Sequence, residues 1–339
     1  MFPELGPTAR LFGIAGIFFG TLVLSLVVAV VLRAALAADA LNPFAAGLGL
    51  PTAVPNATPN PEFLAPTLDL GNVNSWQGTE PVTVLLMGAD TRPSERGNWR
   101  PRTDSLMLLM ADPVNKRASI LSIPRDLYVD IPGYGLYRIN TAYFLGDGPL
   151  AVQTVEYNLG VRVNHYVMIE FDVFTTLVDE IGGIDVYVPR TIYDPDYPNM
   201  SYGYDPFYIE EGLQHLDGQT ALKYVRTRHT DSDFNRAQRQ QDVLFAIRDK
   251  VLSLDMLPTL LQKAPQLYAT LSNSIYTDMT FEQLTSLAVL AGEIPRENIR
   301  SGTIGPDLTT GYLTPQGAQV LIPRREVIGP YLEYIFWLE

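Results

Sequence analysis

Arginine is concentrated in one short segment of an otherwise acidic chain. Between Tyr224 and Gln241 the sequence reads YVRTRHTDSDFNRAQRQQ, although the whole chain carries a formal net charge of -13. Guanidinium groups bind phosphate and carboxylate through paired hydrogen bonds, so a cluster of them suits an anion with many oxygen atoms. The segment therefore predicts a local anion site.

The spacing of these side chains predicts two surfaces that present them. Arg226 and Arg228 are two residues apart, so an extended segment would point both to the same side. The next three follow at i, i+3 and i+4, which places Arg236, Arg239 and Gln240 on one face of a helix. Arg239 is open to two interpretations, a ligand contact or a salt bridge to one of the domain's many acids.

Carboxylates and a further arginine are expected at the ends of neighbouring strands. Asp90 follows the apolar run VTVLLMG and Asp104 precedes the run SLMLLM, so the two acids meet at one sheet edge if these strands are antiparallel neighbours. Oxygen ligands without accompanying His or Cys suit Mg²⁺, which shares its coordination shell with water and phosphate. The alternative is a turn residue and a strand-start acid. Arg125 follows a third strand in SIPRD, where proline ends the strand at the same edge.

Taken together, these groups predict a cation-assisted pyrophosphate site, where positioning and charge neutralisation supply most of the catalysis. Asp233 precedes a helix and is either its N-cap or part of this site. His229 lies among the arginines as a proton carrier or a bystander. The sequence has no GxxxxGK[ST], GxSxG or HExxH motif and no GxGxxG after a strand, so the corresponding enzyme classes are disfavoured.

Alternating elements predict an α/β fold with a mixed central β-sheet flanked by helices. Strands are expected at 82–88, 105–110, 118–123, 165–171, 184–188 and 299–304, where short apolar runs are bounded by turn residues. Helices are expected at 149–159, 172–181, 219–224, 234–252, 257–271 and 281–291.

Four regions follow one another along the chain. Residues 1–10 form a cytoplasmic tail, and 11–33 form a transmembrane helix, because Leu11 to Leu32 carries no charge and exceeds the roughly 20 residues that cross a bilayer. A cleaved signal peptide is the alternative. Residues 34–80, rich in proline, form a linker, and 81–339 form a domain outside the cytoplasm.

Composition narrows the function. A hydrophobic content of 47% excludes a disordered chain, and the acidic balance argues against a nucleic-acid partner, which requires a broad basic surface. Without cysteine the chain has no disulfides, thiolate metal sites or cysteine nucleophiles.

Five blocks in fixed order resemble the LytR-CpsA-Psr family. They are LLMGADTR, RTDSLMLL, ILSIPRDLYV, RINTAYFLG and GLQHLDGQTALKYVRTRHTDSDFNRAQRQQ, and the resemblance covers essentially the whole of Val82 to Gln241. The resemblance implies a three-layer sandwich and a membrane-anchored ligase facing outward. Such a ligase uses Mg²⁺ to transfer a glycopolymer from a polyprenyl pyrophosphate carrier to a peptidoglycan hydroxyl. The polymer itself is not specified by the sequence.

The resemblance also implies roles for the matching residues. The metal ligands would be Asp90 and Asp104. The pyrophosphate would be bound by Arg102, Arg125, Arg226, Arg228, Arg236 and Gln240. Catalysis would rest on Arg125, Arg228 and Asp233, the last as the group that orients or deprotonates the acceptor hydroxyl, with Asp104 as the alternative.

The chain departs from the family at Arg138, where members commonly have lysine before Ile-Asn. The lipid is expected in an apolar crevice under the helices between about residues 142 and 181. Two other functions remain open: a polyprenyl pyrophosphate phosphohydrolase, in which water replaces the acceptor, and a non-catalytic lipid-binding regulator of the cell envelope.

Overall fold

A mixed β-sheet lies at the centre of the domain, with shorter strand pairs around it. The computed structural model describes residues 76–89, 100–199, 203–227, 233–253 and 274–338. In chain order the strands are β1 (Val82–Ala89), β2 (Thr103–Asp112), β3 (Arg117–Ile123), β4 (Tyr128–Ile131), β5 (Gly135–Arg138), β6 (His165–Glu170), β7 (Ile184–Val188), β8 (Ile192–Asp194), β9 (Phe207–Ile209), β10 (Gly212–Leu216), β11 (Ile275–Thr277), β12 (Ile299–Thr303), β13 (Thr309–Leu313) and β14 (Gln319–Pro323). The helices are α1 (Ala142–Leu159), α2 (Phe171–Glu180), α3 (Gly218–Arg226), α4 (Asp233–Ser253), α5 (Phe281–Glu293) and α6 (Arg325–Phe336).

The central sheet has six strands in the order β11-β6-β1-β2-β3-β12. β1 pairs antiparallel with β2 and parallel with β6, so both kinds of pairing occur side by side. β3 is antiparallel to β2, and β12 runs parallel to β3. This arrangement brings the carboxyl ends of β1, β3 and β6 to the same edge as the amino end of β2.

Helices cover both faces of the sheet, which explains the continuous apolar runs in its strands. Every residue of β1 is buried. Val84 and Leu86 belong to a core shared with α2, α3, α4 and α5, whereas Leu85 and Met87 belong to a second core shared with α1 and α6. Strands in the middle of such a sandwich have no solvated face, so they lack polar alternation.

Local signals set the helix boundaries beside the site. After α2 the turn Gly182-Gly183 has φ +76° at both residues, a left-handed conformation that favours glycine. α3 begins after Asp217, whose Oδ1 accepts a hydrogen bond of 2.7 Å from the backbone N–H of Thr220. The amino end of α3 packs so closely on α2 that a side chain at Gly218 would collide with the Thr175 carbonyl oxygen.

Residues 184–216 form a long antiparallel ribbon, of which 200–202 lie outside the described part. β7 pairs with β10, and β8 pairs with β9. Buried and exposed residues alternate along β7, β8 and β9, and the buried ones join the core beneath α2 to α5. The ribbon therefore has an inner face against the core and an outer face in solvent.

The structure confirms the predicted mixed sheet flanked by helices. The six predicted strands are present, and five of the six predicted helices lie in described residues and are present. The helix predicted at 149–159 begins earlier, at Ala142, and is interrupted by non-helical Gly146 and Asp147. The predicted helix at 257–271, the predicted span at 11–33 and residues 34–75 of the predicted linker at 34–80 lie outside the described residues. Within the described ranges, no helix is long and apolar enough to cross a bilayer.

Candidate functional site

A cavity of about 590 Å³ opens at the sheet edge where β1, β3 and β6 end and β2 begins. Its apolar lining comes from the sheet, α2, α3 and α4, and includes Leu86, Met107, Ile169, Phe171, Phe174, Leu222, Val225, Val243 and Leu244. Its polar lining comes mainly from the ends of elements: Asp104, Ser105, Arg125, Asp194, Asp196, Arg226, Arg236 and Gln240. The cavity therefore combines an apolar wall with three guanidinium groups.

The cavity corrects the expected position of the apolar crevice. Phe171 and Phe174 of α2 line it, as expected for the region before residue 181. α1, however, packs against the opposite face of the sheet through Ala151 and Val155. Of the helices expected over the crevice, α2 therefore lines this cavity and α1 does not, because apolar periodicity does not reveal which face of a sheet a helix covers.

Arg125 is held by two carboxylates at the cavity rim. Its Nη1 donates to Asp104 Oδ1 at 2.6 Å, and its Nε lies 3.5 Å from Asp126 Oδ2. Asp126 also pairs with Arg138, whose Nε lies 3.0 Å from Oδ1. Arg138 thus reaches the site only through Asp126, and its second contact, from Nη2 to the Gln319 carbonyl oxygen at 2.8 Å, leads away from it.

Arg226 is the last residue of α3 and lies between two aromatic rings. Its guanidinium carbon is 4.7 Å from the ring centre of Phe171 and 5.7 Å from that of Tyr197. Nη1 also donates to the Tyr197 hydroxyl at 3.3 Å. Both distances lie within the range of about 6 Å for cation–π contacts, so the two rings help to position this guanidinium group at the cavity.

Arg236 and Gln240 lie one helical turn apart on α4 and both line the cavity. Arg236 is only 6% exposed, so its charge is largely removed from bulk water. The first turn of α4 is close to these residues, and the amino end of a helix favours negative charge. The predicted shared face is therefore correct for this pair.

Arg239, the third residue of the predicted helix face, does not line the cavity. It is 4% exposed, and its Nε and Nη2 donate to the carbonyl oxygens of Tyr224 and Thr227 at 2.8 and 2.5 Å. The last carbonyls of α3 have no helical partners of their own. Arg239 donates the hydrogen bonds that these carbonyl oxygens would otherwise lack. It therefore joins α4 to the end of α3.

Asp194 is a buried carboxylate of the ribbon that sequence reasoning missed. It is 4% exposed, lines the cavity and accepts a hydrogen bond of 2.5 Å from Thr227 Oγ1. Thr227 is the residue between Arg226 and Arg228. The strand β8 has only three residues, so apolar alternation was too short to place Asp194 on an inner face.

The remaining predicted residues fall into two groups. Arg102 is exposed, does not line the cavity, and has its guanidinium carbon 6.0 Å from the ring centre of Phe144. Three others lie wholly or in part outside the description: Asp90, Arg228 and the side chain of Asp233. Asp233 itself is the first residue of α4.

The donor atoms at the rim suit a hard cation. Asp104 contributes carboxylate oxygens beside Arg125, Arg226 and Arg236. Within the described ranges there is no group of three or more His, Cys, Asp or Glu that would enclose a metal. A magnesium ion that keeps waters and takes phosphate oxygens needs only one or two carboxylates, so Asp104 fits that role.

The pairing of β1 with β2 also bears on Asp90, the second predicted metal ligand. Ala89 pairs with Thr103, so β1 ends directly beside the residue that precedes Asp104. The condition for two carboxylates at one edge, antiparallel neighbours, is therefore met up to the last described residue of β1. An apolar wall, guanidinium groups and a carboxylate together suit an amphiphile with a phosphate head.

Comparison with known proteins agrees with this geometry. A model of the LytR_cpsA_psr family matches residues 59–323. TagU of Enterococcus faecalis (strain ATCC 700802 / V583), a polyisoprenyl-teichoic acid–peptidoglycan teichoic acid transferase, is 34% identical over 62% of this chain and 65% of its own. TagT of Bacillus subtilis (strain 168), described in the same words, is 38% identical over 53% of this chain and 56% of its own. The matches thus span less than two thirds of these relatives.

Solved structures share the architecture. B. subtilis TagV has a TM-score of 0.60 at 27% identity, covering 76% of this chain and 98% of the TagV chain. The structure of TagT bound to LIIa-WTA has a TM-score of 0.59 at 27% identity, covering 80% and 92%. The family resemblance predicted from the ordered blocks is confirmed.

Proposed function

Because this chain belongs to the LytR-CpsA-Psr family, we propose that it is an Mg²⁺-dependent phosphotransferase of the cell envelope. It moves a glycopolymer from a polyprenyl pyrophosphate carrier to a hydroxyl of peptidoglycan. The names of its relatives, teichoic acid transferases acting between a polyisoprenyl carrier and peptidoglycan, support this reaction class.

The observation that carries the proposal is the union of an apolar wall and arginines in one cavity of about 590 Å³. A free phosphate would need the arginines but not the phenylalanines of α2. A lipid without a charged head would need the apolar wall but not the three arginines beside it. A polyprenyl pyrophosphate uses both.

Arg125, Arg226 and Arg236 bind the pyrophosphate from three directions. Arg125 comes from the strand edge, Arg226 from the end of α3 and Arg236 from the start of α4. Their charges balance the negative charge on the phosphoryl oxygens as it shifts to the leaving group. Arg228 and Gln240 complete this set, and Arg102 contacts the donor only outside the cavity.

The reaction exchanges one phosphorus–oxygen bond for another. The acceptor hydroxyl oxygen bonds to the phosphorus next to the glycan, and the bond from that phosphorus to the bridging oxygen breaks. Polyprenyl monophosphate leaves, and the hydroxyl proton passes to a carboxylate. Asp233, at the start of α4, is our candidate for that base, with Asp104 as the alternative.

Magnesium, held by Asp104 and Asp90, would neutralise pyrophosphate charge when bound. Residues 11–33 anchor the enzyme, and the catalytic domain acts on the outer side of the membrane, where both lipid carrier and peptidoglycan are present. The linker gives the domain reach from the bilayer.

Product analysis tests this function. The full chain in detergent is incubated with Mg²⁺ and a polyprenyl pyrophosphate-linked glycan, with or without purified sacculi. We expect glycan attached to sacculi through a phosphodiester, and polyprenyl monophosphate released only when sacculi are present. Release of free glycan phosphate without an acceptor would instead identify a phosphohydrolase, and the absence of any turnover would favour a binding protein.

A further inference from the structure

The outer face of the ribbon carries a row of large exposed side chains. Tyr187, Tyr193, Tyr208 and Leu213 are each 55–73% exposed. Large apolar groups this close together on a solvated surface indicate a contact site more often than chance exposure. We call these four residues the tyrosine row.

The row is ordered by strand register. Tyr193 lies opposite Tyr208, with ring centres 6.5 Å apart and planes at 62°. Tyr187 lies opposite Leu213. The inward neighbours of both pairs belong to one core, so the two pairs face solvent on the same side of the ribbon.

Acidic groups accompany the aromatic rings. Glu210 and Glu211 are exposed beside Tyr208, and the Tyr208 hydroxyl lies 3.5 Å from Glu210 Oε1. Tyrosine rings offer rigid apolar faces with a polar tip, and carboxylates accept hydrogen bonds from hydroxyl and amide groups. Rings that stack and acids that accept suit a neutral, hydroxyl-rich polymer.

The row is continuous with the cavity through the ribbon itself. Asp194 points into the cavity, whereas the preceding residue, Tyr193, faces outward. Beyond β8 the ribbon supplies Asp196, Tyr197 and Pro198 to the cavity lining. A polymer whose reacting hydroxyl enters this cavity must continue across the adjacent protein surface, and the ribbon forms part of that surface.

We propose that the tyrosine row binds the glycan strand of the acceptor, with sugar rings stacked on Tyr193 and Tyr208. The inference rests on the proposed transfer to peptidoglycan. The inner face of the ribbon then contributes the Asp194 carboxylate to the cavity that binds the donor, and its outer face binds the acceptor.

Charge decides between this partner and the others. The exposed acids of the ribbon, among them Glu210 and Glu211, outnumber its exposed Arg190, so a bilayer of anionic lipid and an anionic glycopolymer are both disfavoured. A second copy of the chain related by two-fold symmetry would place these acids near their own equivalents. The sugar backbone of a glycan strand is itself uncharged, so stacking it on the tyrosine rings places no like charge against these acids.

Binding to sacculi stripped of attached polymers tests the proposal. The full chain in detergent carries either Tyr193→Ala with Tyr208→Ala, or the control pair Tyr134→Ala with Tyr137→Ala on the hairpin of β4 and β5, whose tyrosines are 49–50% exposed. We expect the ribbon pair to bind sacculi about tenfold more weakly and the control pair to bind as the unmodified chain does. Affinity for a short polyprenyl pyrophosphate analogue should stay unchanged in both.

Wild-type binding of sacculi by the ribbon pair would overturn the proposal. If the ribbon pair instead lost binding to liposomes, the row would be assigned to a bilayer. If it lost self-association, the row would be assigned to a second copy of the chain. Sacculus binding needs no turnover, so the two proposals can fail separately. If the chain binds sacculi through the tyrosine row but does not transfer glycan, the proposed chemistry is refuted and the proposed acceptor surface is not.

Discussion

Asp194 and Thr227 join the ribbon to the arginine segment through a hydrogen bond of 2.5 Å. The carbonyl of Thr227 is held at the same time by Arg239. One threonine is therefore fixed through both its side chain and its backbone. Since Thr227 directly follows Arg226, these two bonds fix the backbone beside the residue whose guanidinium group lines the cavity.

Thr227→Val should impair transfer without removing any charge. The substitution keeps the shape but removes the hydroxyl that Asp194 accepts, so Arg226 and its neighbours lose their fixed position. We expect kcat/KM to fall about ten- to a hundredfold, because small misplacements of catalytic groups carry costs of that order. Thr310→Val, on the exposed strand β13, is the matched control. Equal activity of both variants would show that the bond has no positioning role.

Arg236→Met and Arg239→Met should separate binding from stability within one helix. Arg239 donates to two carbonyls, so its loss should lower the free energy of unfolding by roughly 2–4 kcal/mol. Arg236 lines the cavity, so its loss should abolish transfer and change stability far less. Denaturant unfolding and transfer assays measure the two effects. The assignment fails if the two variants exchange these phenotypes.

Asp104→Asn should raise the magnesium concentration needed for half-maximal transfer at least tenfold, about 1.4 kcal/mol of lost binding. The amide keeps the shape of the carboxylate but loses its charge. The pair with Arg125 is partly exposed, so stability should change by less than about 1 kcal/mol. Magnesium titrations on both proteins provide the measurement. An unchanged magnesium dependence would remove Asp104 from the metal site.

Asp217→Ala should destabilise α3, the helix that carries Arg226. The hydrogen bond from Thr220 lowers the pKa of the Asp217 carboxyl below its usual value. A lowered pKa means that the stabilisation is present above the unfolded-state pKa near ~3.9 and is lost as pH falls through the folded-state value. Urea unfolding should show a cost of about 1 kcal/mol at pH 7. The same difference at pH 2 would contradict the capping role.

The sequence predicted the sheet and the arginines well because both rest on local patterns. The apolar runs of β1 and β3 and the glycines after α2 are readable along the chain. Of the ribbon, only β7 was predicted, because β8 and β9 have three residues each and pair across a long connection. Asp194 and Tyr197 were missed for that reason.

At α4, residue spacing predicted the helix but not which neighbour each side chain contacts. Three residues at i, i+3 and i+4 span about a third of the helix circumference, wide enough to meet two different neighbours. Arg236 and Gln240 meet the cavity, whereas Arg239 meets the end of α3. Which neighbour each side chain meets depends on tertiary packing, which spacing does not encode.

The cavity is lined by segments distant in sequence, from β1 at one end to α4 at the other. A lipid head and tail lodged there would touch the sheet, three helices and the ribbon at once. The unfolded chain cannot offer such a site, so occupancy shifts the folding equilibrium as well as the chemical one. Loading with the lipid carrier should therefore raise the temperature of heat denaturation and slow proteolysis of the whole domain. Domain stability thus depends on how much lipid carrier is bound.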